Sequence, residues 1–239
     1  MELDVKLTPE RRWEVCVHEA AHAVIHSLGG AWAYQIAVAP VGASNWTFEG
    51  RKGAVLTDLW GAYAGSDPGS VIVYIKWGPN EFDFEADKAG YRSYLGRASS
   101  MLPTPRQSRQ FREESDRQLR AHIANCLAGP LADQITAGEP FTPGLEPRAC
   151  SRHDDVCQAW SLACLLPGAQ GVELEHIEAQ TMAALQSSDV WGAVQDLARK
   201  LERDDVVDDF DGLLLEPVPG WPFSPRSKGR KLPATIPRR

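Results

Sequence analysis

Thr8 to Gly30 reads T-P-E-R-R-W-E-V-C-V-H-E-A-A-H-A-V-I-H-S-L-G-G, and the fold is decided there. Thr8 is a strong N-cap, and Pro9 stands at the first helical position, where a missing N–H costs nothing. Trp13, Cys16, Val17, Ala20, Val24 and Leu28 recur at three- and four-residue steps, and Gly29-Gly30 ends the run. Inside this helix lies His18-Glu19-Ala20-Ala21-His22. Two imidazoles four residues apart share one helix face about one turn apart, a spacing that suits two nitrogens on one zinc ion. Glu19 is rotated off that line, so it can reach a metal-held water without being a ligand. Zinc lowers the pKa of such a water towards about 7, where a carboxylate can take its proton. The flanks (Val15, Val17, Ala20, Ala21, Ala23, Val24) are uncharged and mostly small, as a helix buried under a site requires.

A catalytic zinc needs a third protein ligand and one open position. His26 is a poor candidate. Three imidazoles would then be strung over about 12 Å of one helix, too far for a single ion. Leu28 also stands where a third histidine six residues after His22 would fall, so His26 reads as a neighbouring or packing residue. His153-Asp154-Asp155 is better placed. In the helix these residues open, Asp155 is in line with Ala159 and Ala163 on the apolar stripe, whereas Asp154 lines up with Gln158 and Ser161. Ser151 and Asp154 form a Ser-x-x-Asp capping pattern, which gives Asp154 a structural task. Asp155 therefore points inward, where a carboxylate needs a partner. A metal would serve, and so would an arginine.

The rest of the chain reads as short strands and then helices. Tyr34–Val41 alternates, Gly53–Thr57 is short and apolar, and Val71–Trp77 is β-branched and aromatic. Gly78–Met101 is mixed and in part helical. From about Arg106, Leu119, Ile123, Leu127, Leu131 and Ile135 repeat every four residues, with Pro130 expected to kink the helix and Gly138 closing it. Further helices are expected over 151–166, 172–185 and 189–203. Residues 216–239 are proline-rich, carry six Arg or Lys against one acid, and lack periodicity, so a mobile basic tail is expected there.

Composition narrows the class. Of the 239 residues, 43% are hydrophobic and 24% charged, as in an ordinary globular protein with one sizeable core. A net charge of −7 gives no general attraction to nucleic acid or anionic membrane. No apolar run approaches the roughly 18 residues a bilayer span needs, and no secretory signal is legible, so a soluble, cytoplasmic protein is expected. The five cysteines include no C-x-x-C pair and are expected to be reduced and mostly buried.

With these motifs in hand, the sequence resembles the peptidase domain of FtsH-type zinc metalloproteases. Val17–Val24 (V-H-E-A-A-H-A-V) is similar to the family's H-E-A-G-H-A. Leu127–Asp133 (L-A-G-P-L-A-D) looks like its L-A-G-R-A-A-E helix, and Asp155–Ala159 like its D-L-x-x-A, whose aspartate is the third zinc ligand. Gln35–Pro40 and Trp191–Leu201 agree by pattern and order, so the likeness covers about Pro9 to Leu215. It implies a zincin-like α+β fold, mainly α, with a small β-sheet beside the His-Glu-x-x-His helix and a C-terminal helical bundle. It also implies zinc on His18, His22 and Asp155, and Glu19 as general base. Residues 1–215 would form the peptidase domain and 216–239 the tail. Ala21 and Pro130 depart from the family's glycine and arginine. The chain also contains no Gly-Lys pair, so no phosphate-binding loop and no ATPase motor are expected. Unfolded or flexible protein segments are then the expected substrates. The family assembles in rings, which makes a homo-oligomer an implied partner. A peptide is expected to add to a sheet edge at Gly53–Thr57, and His153 is a candidate oxyanion donor. The other class kept open is a binding or regulatory protein that retains the scaffold without catalysis.

Overall fold

The Thr8 side chain accepts the backbone N–H of Arg11, and helix α1 runs Pro9–Leu28 from that cap. A computed structural model of the chain describes residues 6–44, 46–49, 55–57 (backbone only), 60–66, 71–78, 84–147, 154–225 and 230–239. Ser151, His153 and the start of the expected 53–57 strand lie outside them. Beyond α1, the chain forms β1 (Ala33–Val38), β2 (Thr47–Glu49), β3 (Val55–Thr57), β4 (Gly61–Gly65), β5 (Ile75–Trp77) and β6 (Phe84–Ala86). Helices α2 (Lys88–Ser100), α3 (Pro105–Thr136), α4 (Asp155–Ala163), α5 (Gln170–Leu185) and α6 (Ser188–Asp204) follow, with β7 (Val206–Val207) after them. The architecture is α+β and mainly helical.

Helix α1 is the central element. Cys16, Val17, Ala20, Ala21, Ala23, Val24, Ile25 and Leu28 are all buried, which covers nearly the whole circumference of its second half. It packs on α3 and α6 and lies against β1 and β4. Small residues dominate this list because a helix enclosed on several sides needs close backbone approach. Helix α6 contributes a clean stripe at three- and four-residue steps (Val190, Ala193, Val194, Leu197, Ala198, Leu201). Buried Arg12 ties α1 to the end of α6, donating to the carbonyls of Ala39 and Glu202 and pairing with Asp205. Between α3 and α5, Arg120 and Glu173 form a buried, two-bonded ion pair at 2.9 Å.

Strand β1 is central in an antiparallel sheet of order β4-β1-β7, with Ile36 opposite Tyr63 on one side and Val207 on the other. Strand β4 is thus a sheet edge. Strands β2 and β3 form a separate hairpin, as do β5 and β6. The expected Val71–Trp77 strand is only half a strand. Ile72–Tyr74 is a single 3-10 turn, closed by Tyr74 N–H on the Val71 carbonyl, and only Ile75–Trp77 is extended. Ile72 and Val73 are exposed, so their β propensity had no sheet to serve. Helix α3 continues through Pro130 to Thr136, which leaves the Cys126 carbonyl without its usual intrahelical donor.

Two expectations are corrected. Cys16, Cys126 and Cys164 are free thiols, but Cys157 is disulfide-bonded. Cysteine spacing gave no hint of it, because a bridge depends on Cα separation in the fold. The tail, expected to be mobile, is docked over its described residues. Val218 N–H donates to the Leu28 carbonyl at the end of α1, Glu216 N–H to Pro237, and Ile236 N–H to the Asp189 carboxylate that opens α6. Trp221 is fully buried, and Val218, Phe223 and Ile236 join the same core. Four apolar anchors decide the matter where proline and charge content pointed the other way. Among the described residues, no helix is long and apolar enough to cross a membrane.

Removing the largest of these anchors should be felt throughout the domain. Trp221→Ala is expected to lower the unfolding free energy by about 3–5 kcal/mol, measured by urea titration. A loss under about 1 kcal/mol would mark the tail as an appendage.

Candidate metal centre and its cleft

His18 and His22 project from one face of α1 towards the first residue of α4. The Asp155 carboxylate oxygen Oδ2 lies 3.2 Å from His18 Nε2 and 3.4 Å from His22 Nε2. All three donor atoms fall within 4.8 Å of one another. A tetrahedral zinc with bonds of about 2.0–2.1 Å has ligand atoms about 3.3–3.4 Å apart; the two edges to Asp155 match that spacing, and the set as a whole is wider, at up to 4.8 Å. The phase argument that separated Asp155 from Asp154 agrees with this geometry. Asp154 is the N-cap of α4, accepting the Cys157 N–H at 2.7 Å, while Asp155 turns inward.

The opposite nitrogens of both rings are held by α3. His18 Nδ1–H donates to Asp133 Oδ2 at 3.1 Å, and His22 Nδ1–H donates to the Asn125 backbone carbonyl at 2.6 Å. With each Nδ1 so engaged, both Nε2 atoms are turned towards the third ligand, as a metal requires. Asn125, Gly129 and Asp133 follow at four-residue steps on one face of α3. At Gly129 a Cβ would overlap the His18 ring, so only glycine lets the two helices meet here. None of these three was identified as a site residue from sequence. The usable signal was their phase: two positions off the Leu119–Leu131 stripe is about 200° around the helix, the opposite face.

Glu19 is 8% exposed and lies beside the donor atoms without joining them. At Gly61, the first residue of β4, a Cβ would come within 2.5 Å of Glu19 Oε1. Burial pushes the Glu19 carboxyl above its ordinary pKa; His18 and His22 oppose this, and the neighbouring acids Asp155 and Asp133 add to it. Burial would also raise Asp155, but the imidazoles of His22 and His18 outweigh it and hold that carboxyl well below the usual range. His18 shows the reverse balance: burial disfavours its charge, and the Asp133 and Asp155 carboxylates raise its pKa regardless.

Two hollows of about 530 Å³ each meet at this centre, and His18, Glu19, Gly61 and Asp155 line both. One opens past Trp60, Asp133 and Val156. The other opens past Tyr63, His26 and His122. His26 has the packing role expected of it: Nδ1 is hydrogen-bonded to the Tyr63 hydroxyl, and burial followed by the nearby His122 pushes its pKa down to about 3. The sheet edge beside the site is β4, not the expected Gly53–Thr57, whose described part pairs with β2 in the separate hairpin. Strand β4 wins because Gly61 brings its backbone against α1, which no residue with a side chain could do. His153, the candidate oxyanion donor, lies outside the described residues.

Asp133→Asn keeps a hydrogen-bonding side chain but loses the charge that orients His18. Zinc affinity is expected to fall about 10–100-fold by competitive chelator titration, with the fold retained. An unchanged affinity would remove Asp133 from the site. In comparisons with known proteins, the chain matches no protein-family model, no curated protein and no solved structure.

Proposed function

We propose that this chain is a zinc-dependent endopeptidase, similar to the FtsH type in its ligand set, which hydrolyses flexible or unfolded polypeptide without ATP. One observation carries the reading: His18, His22 and Asp155 converge on a point that one ion can occupy, with the buried carboxylate of Glu19 beside them and outside the ligand set. Two histidines and a carboxylate also hold ferrous iron in oxygenases. The raised, uncoordinated Glu19 is what favours hydrolysis, because a base poised towards neutral pH is of use to a water nucleophile. Zinc, when bound, supplies a Lewis acid for the scissile carbonyl and lowers the pKa of the attacking water.

The protein's own residues do the rest. Asp133 and the Asn125 carbonyl keep both imidazoles in the tautomer that leaves Nε2 free. Glu19 takes the proton of the attacking water as its oxygen bonds to the carbonyl carbon. The same carboxyl then delivers that proton to the leaving nitrogen as the C–N bond breaks. The β4 edge, running from Gly61 beside Glu19 to Gly65, offers backbone groups along which an extended peptide can lie with its scissile bond over the centre. Residues on either side of that bond then enter the two hollows.

Glu19→Gln tests the reading. The variant is expected to retain about one zinc per chain while losing at least about 100-fold of wild-type cleavage of an unfolded protein such as casein, the range a positioned base contributes. Asp155→Ala should instead lose the zinc. Stoichiometric zinc in a wild-type protein that cleaves nothing across a broad peptide set would favour the alternative, a binding or regulatory protein on the same scaffold.

A further inference from the structure

Residues 138–147, between α3 and α4, border the hollow on the Trp60 side: Glu139, Leu145 and Glu146 line it together with Glu19 and Asp155. Gly138, at a φ of 70°, turns the chain out of α3, and the Gly138 and Glu139 N–H groups still donate to the Ile135 and Gln134 carbonyls. Beyond that exit, one carboxylate does most of the holding. Glu178 of α5 is 3% exposed and accepts the Gly144 N–H at 3.0 and 3.1 Å and the Leu145 N–H at 3.3 Å. Trp160 of α4 donates its ring N–H to the Leu145 carbonyl at 3.2 Å. Among the described residues, no other hydrogen bond joins 140–147 to the rest of the protein, and no basic side chain pairs with Glu178. Burial pushes the Glu178 pKa up, against the two N–H groups that favour its charge. An apolar residue at this place on α5 would pack more stably. What Glu178 secures instead is the position of one wall of the cleft.

We propose that residues 139–146 form a substrate-contacting wall, set in place by Glu178, for the part of an extended polypeptide that leaves the centre past Gly61. The inference rests on the peptidase reading for the identity of the guest. Gly61 borders both hollows, whereas Gly65, at the other end of β4, borders only the one on the Tyr63 side. A chain lying along the β4 edge therefore crosses the centre and passes Gly61 into the Trp60-side hollow, where Leu145 and Glu146 stand. Only the residues on that side of the scissile bond meet the wall. Glu178 touches none of them, and acts through the backbone of Gly144 and Leu145 as a positioning residue. Without its two oxygens both N–H groups lose their acceptor, and the wall is left with the single bond from Trp160. The metal ligands are not part of this linkage, so binding of the ion is independent of it.

The test uses zinc-loaded Glu19→Gln protein, which should bind without cleaving, and nested casein peptides extended one residue at a time at either the amino or the carboxyl end. Binding is followed by calorimetry, and hydrolysis of the same peptides by the zinc-loaded wild type is measured in parallel. Affinity is expected to rise with extension at both ends. Adding Glu178→Leu should remove at least about tenfold of the gain at one end, the scale on which a displaced positioning element is felt, and leave the gain at the other end within about twofold. Glu178→Gln, which keeps one acceptor oxygen, should fall between, and zinc affinity should be unchanged. Trp160→Phe, which frees the Leu145 carbonyl, should act at the same end and serves where Glu178→Leu does not fold. A loss shared equally by both ends would make Glu178 a merely structural residue. That result, gains that survive both substitutions, or no measurable binding of any peptide would overturn the wall. The two readings separate. A one-ended loss with no hydrolysis by the wild type sinks the peptidase and keeps the wall; hydrolysis by the wild type with both gains intact in the variants does the opposite.

Discussion

The meeting of α1 and α3 at Gly129 is the constraint on which the rest depends. The His18 ring occupies the space where a side chain on residue 129 would be, so the two helices stand closer than ordinary packing allows. That closeness puts Asp133 and the Asn125 carbonyl within hydrogen-bonding distance of the two Nδ1 atoms. It also explains why α1 is so poor in large side chains. Ala20, Ala21 and Ala23 are fully buried, as are Ala124, Ala128 and Ala132 on α3. A helix pair built from leucines would be stable, but it would hold the imidazoles too far from the groups that orient them.

Much of this was legible in the sequence wherever the signal was local. The Thr8-Pro9 start, the three- and four-residue steps of α1, the Leu119–Ile135 repeat and the difference between Asp154 and Asp155 all depend on helix phase, which neighbouring residues fix by themselves. What stayed hidden depends on which elements become neighbours. The second hairpin and the edge sheet have equally short, apolar strands, and only the close approach of Gly61 to Glu19 tells β4 from β3. The tail is similar. Its prolines and charges are visible residue by residue, but the partners that hold it, Leu28 of α1, Arg117 of α3, Gln180 of α5 and Asp189 of α6, come together only in the folded chain. The Cys157 disulfide belongs to the same class, since a bridge is a statement about distance and not about composition.

The site carries a cost that the fold must offset. Glu19, His22 and Asn125 are buried, with His18 and Asp155 only partly exposed, in a place where hydrophobic residues would pack more stably. The imidazoles of His18 and His22 are held by Asp155, Asp133 and a backbone carbonyl, and His26 by Tyr63, which offsets part of that cost.

The environments of the two carboxylates suit the two different roles proposed for them. Asp155 and Glu19 lie near the same pair of imidazoles, yet their acidities move in opposite directions. Asp155 is hydrogen-bonded to both rings, so its charge is held even when buried; a ligand to a cation needs that. Glu19 projects from α1 off the line of the histidines and gains only their field, which does not overcome its burial against Gly61. Its proton affinity is raised, which suits the proposed task of accepting a proton and returning it. The separation follows from helix geometry: one residue along α1 is about 100° of rotation, enough to take the Glu19 carboxylate off the line of the two histidines while leaving it beside them.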